Sequence, residues 1–270
     1  MTALLLDLNG VLFEDGTPFP GAVEAVASAR RRGHLLRFVT NTATRSQEDL
    51  RADLERMGFS VGSGELFTAP LAARSYLQRR GWHPHALVHP AIEDLFADLK
   101  LPQGSAEDPD CVVLGDARDR LTYGALNRVF QLVQQGKPLI GIGRNRCFRE
   151  GGRWMLDAGA FLTAIEWAAG TEALVMGKPS AAFFDELVAS TGLPAGDCLM
   201  VGDDVEADVA GAMARGLRGV LVRTGKFRPG DEERLPQGGL VIASIAAWPD
   251  LDDSVWSSPA PRLPPSAAPE

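Results

Sequence analysis

Residues 3–11 read ALLLDLNGV, an apolar run that ends in an acid and is followed by an amide and a glycine. Four consecutive apolar residues directly before Asp7 are typical of a buried strand. In open α/β sheets the carboxyl ends of the strands form the ligand-binding edge, so we expect polar residues at such positions to gather there. Two further apolar runs end in the same way: 35–39 precedes Thr40-Asn41, and 198–201 precedes Gly202-Asp203-Asp204.

Strand-like and helix-like segments alternate along most of the chain. Helical segments end at glycines, as at 22–32 before Gly33, because glycine readily adopts the left-handed conformation that closes a helix. The alternation predicts an α/β fold with a doubly wound, Rossmann-like parallel sheet. The segment after the Asp203-Asp204 pair is predicted to be a helix over 205–215.

The middle of the chain contains none of the strand-end motifs, although its alternation of strands and helices restarts near His85. The simplest organisation is a discontinuous core, residues 1–81 and 173–256, with an inserted smaller α/β cap domain at 82–172. The last residues, 257–270, consist mainly of Ser, Pro and Ala, which predicts a flexible tail.

Charge and composition exclude several classes of function. The net charge of -8 argues against a general nucleic-acid binder, which normally carries a basic face. No apolar stretch approaches the ~20 residues that cross a bilayer, so we expect no membrane partner. The three cysteines are widely spaced and form no metal-binding pair, which favours buried thiols in a cytoplasmic protein.

The acidic residues at the strand ends suit phosphoryl transfer. Asp7 is a candidate nucleophile, because a carboxylate that attacks phosphorus splits one difficult displacement into two steps. Asp203, Asp204 and Asp208 are hard oxygen ligands of the kind that binds Mg²⁺. Acids at a helix start are also common as caps, an alternative that explains one or two of them but not Asp7.

Two further motifs could bind a phosphate. Thr40-Asn41 could donate hydroxyl and amide hydrogens to a phosphoryl oxygen, although a loop with an Asx turn has the same sequence. Lys178, in the motif Gly177-Lys178-Pro179, could supply a compact positive charge, although such lysines are also common on surfaces. Each motif alone is weak, and their combination in this order is informative.

The ordered motifs Asp-x-x-Gly-Val, Thr-Asn, Gly-Lys-Pro and Gly-Asp-Asp-x-x-x-Asp resemble those of the haloacid dehalogenase (HAD) superfamily of phosphatases. The insertion between the second and third motifs is similar to the large α/β cap of one of its subgroups. Two further stretches, Arg37 to Thr42 and Val222 to Arg228, resemble the branch of phospholysine phosphohistidine inorganic pyrophosphate phosphatases and their relatives.

The resemblance implies a role for each motif. Asp7 would be the nucleophile, and the Asn9 carbonyl and Asp203 would join it around Mg²⁺, with Asp204 and Asp208 supporting that metal. Thr40 and Asn41 would bind the phosphate and Lys178 would orient it. The cap would set substrate choice, and similar capped enzymes often form homodimers through it. The substrate would be a small phosphorylated molecule.

Asn9 departs from the usual family pattern, which has a second aspartate there as general acid and base. An amide cannot serve in that role, and the loss of a general acid and base typically lowers the reaction rate about 10²–10⁴-fold. The leaving groups of acyl phosphates, pyrophosphate and N-phosphorylated amines need less help from a protein acid. The hydrolysis rate of these substrates should therefore fall less. The alternative function is a phospholigand-binding or partner-binding protein. A further hypothesis is that Asn9-Gly10 deamidates and restores an aspartate in part of the protein.

Overall fold

The computed structural model describes residues 2–99 and 108–250, which form two compact units. The first unit comprises the chain up to Thr40, Gln47–Phe67 and the chain from Leu187 onward; the second comprises Asn41–Ser46 and Thr68–Glu186. The second unit contains the predicted insertion, 82–172, and residues on both sides of it, and the predicted domain boundaries stay a prediction. The predicted tail, 257–270, lies outside the described residues.

The elements alternate between strands and helices. The strands are β1 Ala3–Asp7, β2 Phe13–Glu14, β3 Thr17–Pro18, β4 Leu35–Thr40, β5 Leu66–Thr68, β6 Pro84–Leu87, β7 Cys111–Leu114, β8 Leu139–Gly141, β9 Cys147–Glu150, β10 Arg153–Leu156, β11 Leu174–Val175, β12 Cys198–Gly202, β13 Arg218–Val222 and β14 Leu240–Ile242. The α-helices are α1 Ala22–Arg31, α2 Gln47–Arg56, α3 Ala69–Arg80, α4 Tyr123–Gln134, α5 Ala158–Ala169, α6 Ala181–Thr191 and α7 Gly211–Met213. Short 3-10 segments cover Pro90–Leu99, Arg118–Arg120, Ala195–Asp197, Asp231–Arg234 and Ile245–Asp250, and Val205–Ala210 is π-helical.

The main sheet of the first unit has six strands in the order β14-β13-β12-β1-β4-β5. The central strand β1 pairs in parallel with both β4 and β12, and β13 and β14 continue in parallel beyond β12. Asp7 is in register with Val39 of β4, and Leu6 with Val201 of β12. These three strands therefore end at the same edge of the sheet, as the sequence predicts.

Apolar side chains from alternate positions of these strands form the core of the first unit. On one face, Leu4 and Leu6 of β1 belong to a buried cluster with side chains of α1, α2 and Trp248. On β13, Leu221 packs with Val205, Val209 and Met213 in a separate cluster. Full burial of a Leu or Val side chain contributes about 1.5–3 kcal/mol, so this packing fixes the strand ends that carry the acids.

The second unit contains a smaller parallel sheet in the order β11-β8-β7-β6. Its core joins apolar side chains of β7 and β8, such as Leu114 and Leu139, to Val129 of α4 and Leu162 of α5. A separate antiparallel pair, β9 and β10, is largely exposed, and all four residues of β10 are exposed to solvent. Together the two sheets confirm the predicted α/β class with parallel strands.

The predicted helix over 205–215 differs in the structure. Val205–Ala210 is π-helical, and only Gly211–Met213 is α-helical. The Val209 N–H donates to the Asp204 carbonyl, five residues back, at 3.3 Å. This wider turn is consistent with the Asp208 side chain folding back on the strand end, a contact described below, and such π segments are frequent at functional sites.

The cysteines correct one expectation from the sequence. Cys111 and Cys198 are buried, but Cys147 on β9 is exposed. Burial raises the pKa of the Cys111 thiol to about 12, with the nearby Asp110 carboxylate adding to the shift. That thiol is therefore neutral and unreactive at physiological pH. Among the described residues, no helix is both long and apolar enough to cross a membrane.

Candidate active site

The first unit reverses its strand order around β1. The chain passes from β1 to β4 on one side and later returns to β12 on the other. A crevice at such a switch point is where open α/β sheets bind ligands. Asp7 and Thr40 are the last residues of β1 and β4, and Asp203 directly follows β12. Three of the sequence motifs thus meet at the switch point of one sheet.

Three carboxylates form a buried cluster at this point. Asp7, Asp203 and Asp208 each offer an oxygen atom within 4.8 Å of the others. Asp7 is 8% exposed, and Asp203 and Asp208 are each 1% exposed. Carboxylates this close and this dry repel each other strongly, because little water separates them. An arrangement of this kind is stable when a cation neutralises it.

Glycines make the close approach of these carboxylates possible. A Cβ atom on Gly10 would overlap the Asp203 carboxylate, and one on Gly202 would overlap the Asp208 side chain. Gly10 also has φ of 87°, a conformation that other residues rarely adopt. The Asn9-Gly10 sequence therefore forms a turn and also leaves room for the Asp203 carboxylate from the end of another strand.

The start of the π-helical segment links two of the predicted metal ligands. The Asp204 side chain accepts hydrogen bonds from the N–H groups of Glu206 at 3.1 Å and Ala207 at 2.9 Å, so it caps the helix. The Asp204 N–H in turn donates to Asp208 Oδ2 at 3.2 Å. Asp204 thus fixes the Asp208 carboxylate through its backbone, while its own side chain serves as the cap.

Asn9 has an exposed side chain in the turn after Asp7. The Gly10 N–H, which would have to attack the Asn9 side chain during deamidation, donates instead to the Phe13 carbonyl at 2.8 Å. That hydrogen bond withholds the attacking nitrogen and holds the turn rigid. The geometry therefore disfavours the deamidation hypothesis and leaves an amide at position 9.

The second unit brings Asn41 and Lys178 together. The Asn41 side-chain amide donates to the Lys178 carbonyl at 3.0 Å, and its oxygen accepts from the Lys178 N–H at 2.8 Å. A Cβ atom on Gly177 would lie 3.4 Å from the Asn41 oxygen, so a small residue suits this position. The Asn41 side chain is used to hold the Gly-Lys-Pro backbone, a role that the motif alone does not reveal.

One segment at the acidic cluster received no role from the sequence. Thr224, Gly225 and Lys226 follow β13 and contact the Gly10 turn and Asp203. The available signals were their place at the end of another strand of the sheet and the resemblance of the stretch Val222 to Arg228 to one branch of the family, neither of which identifies a contact. Thr-Gly at a strand end is common in turns, and nothing local reveals that its partners are Gly10 and Asp203.

The donor set fits a divalent cation such as Mg²⁺. Its three carboxylates supply hard oxygen ligands, and Gly10 and Gly202 leave room for two of them, Asp203 and Asp208, to approach. The set contains no thiolate or imidazole, the ligands that would favour zinc or copper. The three carboxylates that the structure gathers in the first unit are therefore ligands of the type that the predicted Mg²⁺ site requires.

Comparison with known proteins tests the family resemblance of the sequence motifs. Residues 4–100 match the family described as haloacid dehalogenase-like hydrolase, and residues 175–248 match a related HAD-hydrolase-like family. The phospholysine phosphohistidine inorganic pyrophosphate phosphatase of Rattus norvegicus is 40% identical over 235 residues, which are 85% of each chain. The human haloacid dehalogenase-like hydrolase domain-containing protein 2 is 40% identical over 235 residues, 87% of this chain and 89% of the relative.

A solved structure extends the similarity to three dimensions. The 4-nitrophenylphosphatase of Thermotoga maritima has a TM-score of 0.81 and 26% identity, covering 93% of this chain and 97% of its own. The predicted resemblance is thereby confirmed. The chain belongs to the haloacid dehalogenase-like hydrolases and is a phosphatase of that family.

Proposed function

We propose that the protein is a Mg²⁺-dependent phosphohydrolase that acts on a small phosphorylated molecule through an aspartyl-phosphate. The observation that supports this most directly is the buried cluster of Asp7, Asp203 and Asp208 at the switch point of the main sheet. Asp7 is the nucleophile. A site that only bound phosphate would gain nothing from a carboxylate there, because it would repel the ligand.

The reaction has two displacements at phosphorus. An oxygen of Asp7 attacks, the bond from phosphorus to the leaving group breaks, and the leaving group departs with the electron pair and takes a proton from water. Water then attacks the aspartyl-phosphate and loses a proton to the solvent, which balances the proton taken in the first step. The bond between phosphorus and the Asp7 oxygen breaks, its electron pair restores the Asp7 carboxylate, and phosphate leaves. The two-step route replaces one difficult hydrolysis by two easier reactions.

Asp7, Asp203 and Asp208 would hold the metal together with the Asn9 backbone carbonyl, and Asp204 would support them from the helix start. Bound Mg²⁺ supplies positive charge that offsets the repulsion between the nucleophile and the phosphate. In this proposal Thr40 binds a phosphoryl oxygen through its hydroxyl, and Asn41 binds one through its backbone N–H, because the Asn41 side chain holds the Lys178 backbone. Lys178 orients the phosphate through its ammonium group. The hydrogen bonds between Asn41 and Lys178 support a shared role for these two residues.

Asn9 narrows the substrate class. Without a general acid the leaving group must depart with little protonic help, which favours pyrophosphate, acyl phosphates and N-phosphorylated amines. The names of relatives with 40% identity include phospholysine, phosphohistidine and pyrophosphate as substrates, in agreement with this preference. We therefore propose pyrophosphate or an N-phosphorylated amine as the substrate.

The experiment is a turnover assay with pyrophosphate, phospholysine and p-nitrophenyl phosphate, with Mg²⁺ and with a chelator. Wild type should release phosphate only with Mg²⁺, and Asp7→Asn should abolish release. The control is Asp15→Asn, the same change of an acid to an amide in the exposed β2–β3 turn, which should keep activity. Undiminished activity in Asp7→Asn would show that the nucleophile is wrong. A wild type that binds phosphate without turnover on any of these substrates would favour the phospholigand-binding alternative.

We further propose that the protein forms a homodimer through its cap. Large apolar side chains are exposed within 82–172, and Trp154 and Leu156 on β10 are 66% and 63% exposed. Exposed apolar side chains that are close together favour association. The expected cytoplasmic location, and the expected lack of nucleic-acid and membrane partners, stay predictions.

A further inference from the structure

The segment after β13, Thr224 to Lys226, connects the Asn9-Gly10 turn to the Asp203 carboxylate of the acidic cluster. The Thr224 hydroxyl donates to the Gly10 carbonyl at 2.5 Å, and the Lys226 backbone N–H donates to Asp203 Oδ2 at 2.8 Å. Gly10 and Thr224 are 214 residues apart in sequence. Two neighbouring hydrogen bonds from one short segment thus reach both sides of the cluster.

Gly225, between these two donors, is in close contact with the same groups. A Cβ atom at Gly225 would overlap both the Asp203 carboxylate and the Gly10 backbone, and its φ is 62°. Only glycine fits this position without displacing one of them. The segment therefore packs against the cluster and also hydrogen-bonds to it.

The direction of the Asp203 carboxylate depends on these contacts. A carboxylate that has one oxygen held by a backbone N–H presents its other oxygen in a defined direction, which lowers the cost of ordering it around a cation. The Thr224 hydroxyl fixes the Gly10 turn, and this turn carries Asn9, whose carbonyl is a proposed ligand. The segment thereby sets the position of ligands from β1 and from β12 relative to each other.

The Lys226 side chain contributes little to this arrangement. Its Nζ atom lies 3.6 Å from Asp204 Oδ2, and the side chain is 65% exposed. Such exposed ion pairs contribute little because solvent screens them. The function of the segment therefore lies in the Thr224 hydroxyl and in the backbone at 225 and 226.

We propose that Thr224 is a positioning residue for the metal site, acting through the Gly10 carbonyl and supported by the Lys226 N–H on Asp203. This inference rests on the proposed function, because it assumes that the carboxylate cluster binds a divalent cation. Loss of such an outer contact typically weakens metal binding by about 10–100-fold. The predicted effect of removing the hydroxyl is at the lower end of that range, because the Lys226 N–H stays in place.

The test measures Mn²⁺ binding to the metal-free, full-length protein by isothermal titration calorimetry, without substrate. Thr224→Val should raise the Kd for Mn²⁺ about 10-fold, and Thr224→Ser, which keeps the hydroxyl, should restore affinity close to that of wild type. The matched control is Thr191→Val. Thr191 also donates its hydroxyl to a carbonyl, that of Val188 at 2.7 Å, but it contacts Cys198 at the opposite end of β12 from Asp203. Thr191→Val should bind Mn²⁺ like wild type.

Three results would overturn the inference: wild-type affinity in folded Thr224→Val, failure of Thr224→Ser to restore binding, or equal weakening in Thr191→Val. Circular dichroism checks the fold of each variant, and Thr224→Ala takes the place of Thr224→Val if the valine variant does not fold. A wild type that binds no Mn²⁺ would instead contradict the proposed function. A wild type that binds Mn²⁺ and hydrolyses nothing would contradict the hydrolase proposal and leave the positioning role of Thr224 intact.

Discussion

Asn9 lies two residues after Asp7 and has an exposed side chain, so it is accessible to a substrate at the strand end. Its amide can donate or accept a hydrogen bond, but it cannot transfer a proton at neutral pH. The effect of this residue should therefore depend on how much protonation the leaving group needs. The alkyl alcohol released from a phosphate monoester needs protonation most, and the carboxylate released from an acyl phosphate needs it least.

Asn9→Asp should raise the rate on β-glycerophosphate, an alkyl ester, by about 10²–10⁴-fold, because it supplies the missing general acid and base. The rate on acetyl phosphate should change far less. Steady-state phosphate release on both substrates measures the two effects. Asn9→Ser changes the same side chain without adding an acid and should leave the ratio of the two rates near that of wild type. An equal gain on both substrates in Asn9→Asp would contradict the proposed reason for the substrate preference.

The residues of the candidate site differ in how well the sequence predicted them. Asp7 ends β1, Asp203 directly follows β12, and Asp208 lies in the π-helical segment after it. Parallel strands that end at one edge of a sheet bring such residues together. Thr224 could not be assigned in this way, because its partner Gly10 is distant in sequence. The role of Gly202 was hidden for a different reason, since its contact with the Asp208 side chain depends on the π-helical turn.

At the level of elements, the buried strands were predicted best. The apolar runs at 3–6, 35–39 and 198–201 are strands in the structure, with bounds that differ by one residue, because a strand covered on both faces consists almost entirely of apolar residues. The strands β9 and β10 were missed, since their residues are largely exposed and show no alternation of apolar and polar residues. The Gly151-Gly152 pair between them was the available signal.

The hairpin of β2 and β3 was also missed, because each strand has only two residues. Its turn is Asp15-Gly16, with φ of 47° and 75°. Positive φ at both positions is characteristic of the type I′ turn, for which Asp-Gly is a favoured sequence. The turn is thus encoded locally, although the strands are too short to be predicted.

Gly16→Ala should destabilise the first unit by about 1 kcal/mol, because alanine pays a steric cost at positive φ even though open space surrounds Gly16. Gly124→Ala is the matched control, for which the expected change in the free energy of unfolding has the opposite sign. Gly124 also faces open space but lies in α4 without positive φ, so alanine should stabilise that helix by about 0.5 kcal/mol. Urea unfolding of both variants measures the two shifts, and shifts of the same sign would contradict this reasoning.

At the scale of the whole molecule, the exposed strand β10 has the properties of an association surface. Within the described residues it pairs only with β9, and its other edge forms no strand pairing. Trp154 is stacked under the Arg149 guanidinium at 4.8 Å, which holds the indole in a defined orientation. An ordered aromatic side chain beside an open strand edge favours pairing with a second strand.

Leu156→Glu should convert the proposed dimer to a monomer, because it would place a charge in the apolar contact. Sedimentation velocity at a fixed protein concentration measures the change. The matched control is Trp167→Glu, which also places a charge at an exposed apolar residue, 87% exposed, but on α5 outside the β9–β10 pair. It should remain a dimer. A wild type that sediments as a monomer, or dissociation in Trp167→Glu alone, would contradict a dimer through β10.

The position of β1 in the main sheet has a consequence for biosynthesis. A ribosome completes β1 and β4 early, but β12, the other neighbour of β1, begins only at Cys198. Until then the emerging polypeptide has one unpaired edge on β1, a strand whose first four residues are apolar, and such a state is prone to aggregation. Shielding by chaperones should therefore matter most during translation of the roughly 160 codons between β4 and β12.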